Sequence, residues 1–257
     1  MTVKPRLLVK DPIGTGAWRA SIPSYRTERV LHIPPPRLDT FIGGLRSSTV
    51  TLIEGSHPFL SDLIASLCVQ AVIAFDENVV FVDGGNSIAP YVIADFSKRA
   101  GLEMGYVLSK INVCRAFTAY QMSTVLGDRL RKAVEDCDPS LLIVSGIANF
   151  FLDGGMGKCE RVYMLERGLL DIGDLTRKYG LITVLTDPIG ACRHELLQGI
   201  IYGSVDEVLG ITARRKGIRL HMLSEGRVMD YCPVPSYQTT LDEFDVRCED
   251  GTYTAYI

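Results

Sequence analysis

Four short stretches of the chain are continuously apolar: residues 50–53, 79–82, 141–144 and 181–185. A run without polar alternation is the mark of a strand buried on both faces, as in a parallel sheet. Between these runs, apolar residues recur at three- and four-residue intervals over 60–75, 88–100, 119–134 and 161–178, which predicts helices. Strands that alternate with helices need crossover connections. Those are right-handed and give a sheet covered on both faces. After residue 187 the pattern changes. Two apolar stretches, 205–212 and 218–224, flank the turn ARRKG and predict an antiparallel hairpin at the end of the sheet. The opening segment holds Pro5, Pro12, Pro23, Pro34, Pro35 and Pro36 with the single tryptophan, Trp18, and reads as an extended strap over the core. The expected organisation is a strap over 1–37 and one α/β core over 38–257.

Composition narrows the function classes. Hydrophobic residues make up 47% and charged residues 22% of 257, the balance of a globular chain with a full core. A net charge of −3 excludes a surface coated in positive charge, so any nucleic-acid contact must be local. The apolar runs fall short of the roughly 18 residues that cross a bilayer, and the N-terminus lacks a secretory pattern; the expectation is a cytoplasmic protein without membrane contact. Seven cysteines stand singly without a C-x-x-C pair, which suggests reduced thiols, not a disulfide framework or a zinc site.

The segment TVTLIEGSHPFLSDLIASL runs from an apolar strand through Gly55 and a turn into a helix, the place of a phosphate-binding loop. Upstream stand Leu38-Asp39 and Gly43-Gly44-Leu45; downstream come VVFVDGGNS, INVCRAFTAYQM, PSLLIVSGIANFF and GLITVLTDP. In this order and spacing the chain resembles the RecA/RadA recombinase superfamily over about residues 38–227. The resemblance implies a RecA-like three-layer α/β fold, with a mainly parallel central sheet, helices on both faces and C-terminal antiparallel strands.

Where the motif departs from the family, chemistry is lost. A working loop reads G-x-x-x-x-G-K-[S/T], with glycines for close backbone approach, lysine for charge and a hydroxyl for magnesium. Here the window is Gly55-Ser56-His57-Pro58-Phe59-Leu60-Ser61-Asp62, so Leu60, Ser61 and Asp62 replace the second glycine, the lysine and the hydroxyl. Losing a cation and gaining a carboxylate shifts the charge by two units against a polyphosphate. Each unit is worth on the order of 4 kcal/mol at 4 Å and an effective dielectric near 20. A helix dipole offsets only about 0.3–1 kcal/mol of that. By the same resemblance, Gly85 stands where the family has the glutamate that activates water, and Ser145 where it has the magnesium-binding aspartate. Phosphoryl transfer needs metal, base and charge clamp together. The expectation is an ATPase-like protein without activity, catalytic residues, bound metal or cofactor.

The family's DNA-contacting arginines map onto Arg161 and Arg167, with Lys158 close by. Single-stranded DNA is therefore one expected partner; the others are an active recombinase or a further RecA-like subunit, in a homo- or hetero-oligomer. These cations alternate with Glu160 and Glu166, and such runs are commonly a solvated helix face with local ion pairs. An accessory role in recombination or repair and a protein-interaction scaffold without nucleic acid are thus the two functional readings. The cluster Arg214, Arg215, Lys216 and Arg219 reads as an edge guard or a second basic contact. His57 with Asp62 is too small a set for zinc, and Cys192-Arg193-His194 lacks the geometry of a nucleophile–base pair.

Overall fold

The computed structural model of the chain describes residues 8–9, 19–20, 28–55, 58–152, 156–187 and 195–233. Trp18, His57 and Cys192-Arg193-His194 lie outside the described residues. Two short strands, β1 (Leu8–Val9) and β2 (Arg19–Ala20), pair with each other. Next come β3 (Val30–Leu31), α1 (Pro36–Ile42) and β4 (Leu45–Arg46), with β3 antiparallel to β4. The core then runs through β5 (Thr49–Gly55), α2 (Pro58–Phe75), β6 (Val79–Asp83), α3 (Pro90–Arg99), α4 (Met104–Ser109), β7 (Ile111–Arg115), α5 (Ala119–Thr124), α6 (Leu130–Cys137) and β8 (Leu141–Ser145). It continues through α7 (Lys158–Tyr179), β9 (Ile182–Asp187), α8 (Glu195–Gly203), β10 (Glu207–Arg214), β11 (Gly217–Met222) and β12 (Arg227–Tyr231).

One eight-stranded sheet is ordered β12-β11-β10-β5-β9-β8-β6-β7. From β10 to β7 every neighbouring pair is parallel, while β11 and β12 are antiparallel. The four apolar runs are the adjacent central strands β5, β9, β8 and β6, and their two-residue side-chain period sorts them into two cores. Val79, Phe81, Leu141 and Ile143 pack with residues of α1, α2 and α3. Val80, Val82, Leu142 and Val144 pack with residues of α5, α6, α7 and α8. Helices thus cover both faces, as alternation of element types requires.

Helix α2 is 18 residues long and by length and composition apolar enough to cross a membrane. Here Leu63 to Val69, Ala71 and Val72 are buried in the core, so it is apolar nearly all round because it is surrounded. The single helix expected over 119–134 is instead interrupted. α5 passes through a wide turn, Val125–Arg129, into α6, and Gly127 departs from helical geometry at φ −78 and ψ −118.

Candidate functional site

In open α/β sheets, ligand sites gather at the carboxyl ends of the parallel strands. The register places Ile211 beside Gly55, Glu54 beside Asp187, Thr186 beside Ser145, Ser145 beside Asp83, and Asp83 beside Arg115 along that edge. Apart from Ile211, which lies within β10, each of these residues ends, or nearly ends, its strand, and all but Ile211 and Gly55 are polar, so a row of polar groups caps an apolar sheet.

Asp83 is at its centre and is fully buried. Its Oδ1 accepts the Ser87 backbone N–H at 2.9 Å and the Ser145 hydroxyl at 3.1 Å. The Ser87 hydroxyl donates in turn to Ser145 Oγ at 2.7 Å. Arg115 sets Nε and Nη2 on Asp83 Oδ2 at 3.2 and 3.0 Å. The carboxylate is therefore met by a cation, a backbone amide and a hydroxyl, which is what a buried charge requires. Gly84 is needed for this packing: a Cβ there would fall 2.7 Å from the Ser145 carbonyl oxygen. Gly85 faces the same cluster, its Cβ direction 3.6 Å from Asn149 Nδ2 and 3.8 Å from Ser145 Oγ.

Among the described residues, the neighbouring stretch of the edge pairs its acids with no cation. The Tyr202 hydroxyl donates to Glu54 Oε2 at 2.6 Å, and Gln198 Nε2 donates to Tyr202 at 3.2 Å. Asp187 is buried and accepts only a long bond from the Ala148 N–H, at 3.4 Å, among the described residues. Burial pushes its carboxyl up to about 7, with the nearby Glu54 charge adding to the rise and the Ala148 N–H opposing it.

The stretch that the resemblance aligns with a phosphate loop follows Glu54 directly in the chain. Gly55 is a close-approach position, since a Cβ there would fall 2.9 Å from Ile211 Cβ and 3.2 Å from the Ile211 carbonyl oxygen. Its tightness is explained by β10. Leu60, Ser61 and Asp62 lie in the first turns of α2, with Ser61 exposed and the other two partly buried. Asp39 in the Leu38-Asp39 segment serves the fold: it accepts the Ile33 N–H at 2.9 Å and pairs with His32 at 2.7 Å.

Lys158, Arg161 and Arg167 all sit on α7, but they do not converge. From Lys158 to Arg167 the helix makes about two and a half turns, so the two project from opposite sides. Arg161 Nη1 donates to the Phe151 carbonyl oxygen at 3.4 Å, and Arg167 Nε pairs with Asp171 at 3.4 Å. The expected local pairing with Glu160 and Glu166 is corrected accordingly: Glu160 accepts the Tyr120 hydroxyl at 3.0 Å. The i,i+4 acid Asp171 is the better placed partner for Arg167.

The basic turn is not on an edge strand. It joins β10 to β11, and β12 forms that edge of the sheet, so the edge-guard expectation fails. The opposite edge is β7, which among the described residues pairs only with β6. It exposes Val113 by 48%, and the next loop exposes Phe117 by 69%.

A family model described as Rad51 matches residues 32–209, well over half of the chain. The chain belongs to the Rad51 family. Its parallel sheet between two helical layers, closed by antiparallel strands, is a RecA-like fold, and the family assignment makes it a protein of the recombination and repair class. Sequence reasoning located Gly85 and Ser145 but missed Asp83, Ser87 and Arg115. The available signal was a charged residue, Asp83, ending a run that is otherwise wholly apolar.

Proposed function

We propose that this Rad51-family chain is a non-catalytic accessory protein that neither binds magnesium–ATP in the family's manner nor hydrolyses it, and that it acts by binding an active recombinase or another RecA-like subunit. One observation carries this reading. The position that needs a free metal-binding carboxylate is Ser145, whose hydroxyl is committed to Asp83, within a network that satisfies itself through Ser87 and Arg115. The residues at the phosphate loop do not fit a triphosphate either: Ser61 supplies no charge, Asp62 supplies the wrong one, and Pro58 donates no N–H. Gly85 has no side chain with which to activate water.

Partner binding is supported by the β7 edge. Its outer ladder groups have no strand beside them among the described residues, and Val113 and Phe117 are exposed next to them. An extended segment can add to such an edge, with ladder hydrogen bonds giving affinity and side-chain contacts giving specificity.

Thermal shift and phosphate release with ATP and magnesium test the non-catalytic half. No shift and no turnover are expected; a clear upward shift abolished by altering Ser61 or Asp62 overturns it. For the binding half, Val113→Lys with Phe117→Ala is expected to abolish co-purification with a co-expressed Rad51-family recombinase, and unchanged recovery counts against it.

Single-stranded DNA is the second reading, favoured by Arg167, 64% exposed in the middle of α7. Fluorescence anisotropy with a dT oligonucleotide should then show weak, salt-sensitive binding reduced by Arg161→Ala with Arg167→Ala. An unchanged isotherm removes DNA from the account.

A further inference from the structure

The β10–β11 hairpin tip lies beyond residue 209, where the Rad51 match ends. Arg214 pairs with Gly217 in the ladder, which leaves a two-residue loop of Arg215 and Lys216. Gly217 supplies the positive φ of the turn, +115°, and a Cβ there would press on the Tyr231 carbonyl oxygen and fall 3.0 Å from Cys232 Cα. The tip is thereby seated against the end of β12, which holds its geometry.

Four cations surround this turn, and one is spent. Arg219 makes a two-pronged pair with Asp230 at 2.7 and 2.8 Å. That pair, with a weaker contribution from the Arg214 charge, holds the Asp230 carboxyl below its ordinary range. Arg214, Arg215 and Lys216 are exposed, and their side chains make no hydrogen bond or ion pair among the described residues. With Ile218, Arg219 and Asp230 they line an open groove of about 510 Å³, within the usual range of a small ligand or short side-chain cluster. Guarding a sheet edge does not account for them, because β12 is the edge.

We infer that this groove docks a short acidic segment of a partner protein, with Arg214, Arg215 and Lys216 as the recognising cations. Charge complementarity selects the occupant's sign. The lining selects its class: among the described residues it contains no aromatic ring on which a base can stack, and three cations confined to one turn do not form the extended track that a nucleic-acid strand follows. The inference adds the partner's chemistry to the partner-binding reading and rests on it. Its surface lies at the opposite end of the sheet from β7, so each can fail alone.

The test is fluorescence anisotropy of the full chain with a labelled peptide of sequence Glu-Asp-Leu-Glu-Glu-Asp-Leu-Glu, its Gln/Asn counterpart, and dT20. The acidic peptide should bind and weaken with salt, the neutral counterpart should not bind, and Arg214→Ala with Arg215→Ala and Lys216→Ala should reduce affinity by about tenfold or more. Arg215→Glu with Lys216→Glu, confined to the loop and checked by circular dichroism, should do the same. Equal acidic-peptide affinity in these variants overturns the inference, as does equal binding of the neutral peptide. Tighter dT20 binding with the same dependence on the tip overturns it in favour of a nucleic-acid surface. Unchanged recombinase recovery in the β7 variant, with the tip's peptide binding intact, would count against the edge alone.

Discussion

Removing the Arg115 side chain tests the buried network most directly. In the native fold, Arg115 meets Asp83 Oδ2 with two nitrogens at 3.0 and 3.2 Å, and Asp83 is wholly shielded from solvent. Breaking a buried ion pair by deleting one partner costs about 3–5 kcal/mol, because the other charge stays desolvated. Two features reduce that here. The Arg115 side chain is 39% exposed, so water can enter where it stood, and Asp83 keeps the Ser87 N–H and the Ser145 hydroxyl. For Arg115→Ala we expect a loss of about 2–3 kcal/mol, at or just below the lower end of that range. At about 2–4 °C per kcal/mol for a chain of this size, the melting temperature should fall by roughly 4–12 °C.

The assay is urea unfolding at neutral pH, comparing midpoints at constant slope. It should be run as a cycle with Asp83→Asn, which keeps the shape and removes the charge. Once Asp83 is neutral, deleting Arg115 should cost much less, so the two losses should fall short of additivity by more than about 0.5 kcal/mol. Additive losses, or an Arg115→Ala protein within about 0.5 kcal/mol of the parent, would refute a coupled pair. Arg115 would then be a surface residue that happens to lie near a carboxylate.

Two other outcomes follow from the same edge. Asp187 is raised to about 7 by burial, so between roughly pH 4 and 7 the folded state binds a proton that the unfolded state has released; stability should fall as pH rises through this window and level off above it. Asp187→Asn should flatten that slope and stabilise the protein at pH 8 by up to about 4 kcal/mol, read from unfolding midpoints across pH; an unchanged slope rejects it. Ser61→Lys should leave ATP hydrolysis undetectable by phosphate release, because Ser145 and Gly85 still provide neither metal ligand nor base, and turnover from that one change would contradict the proposed loss of activity.

How far the fold was legible depended on where each strand sits. β6 and β8 are buried along their full length, so every residue before the terminal Asp83 and Ser145 is apolar and the run announced itself. β7 and β12 are edge strands with mixed sequences, INVCR and RVMDY, and mostly partial or full exposure; with one side open, their residues face no uniform demand. The interruption between α5 and α6 was hidden for a different reason. Leu126 and Leu130 keep helical spacing and stay buried on either side of Gly127, so the apolar pattern passes through the break.

The site was legible only as losses. Comparing Gly85 and Ser145 with the residues a phosphoryl-transfer site needs identifies missing groups, but it cannot show what replaces their interactions. The replacement is non-local: Asp83, Arg115 and Ser145 come together because β6 lies between β7 and β8 in one parallel register. The same register makes Arg115 a residue with two consequences. It closes the polar network and it ends the open strand β7, so β7 cannot swing away from the sheet without uncovering a buried carboxylate. A strand held this way loses little further freedom when another segment pairs with it, and preorganisation of that kind favours binding. The polar network around Asp83 thus also stiffens the edge through which the protein is proposed to work.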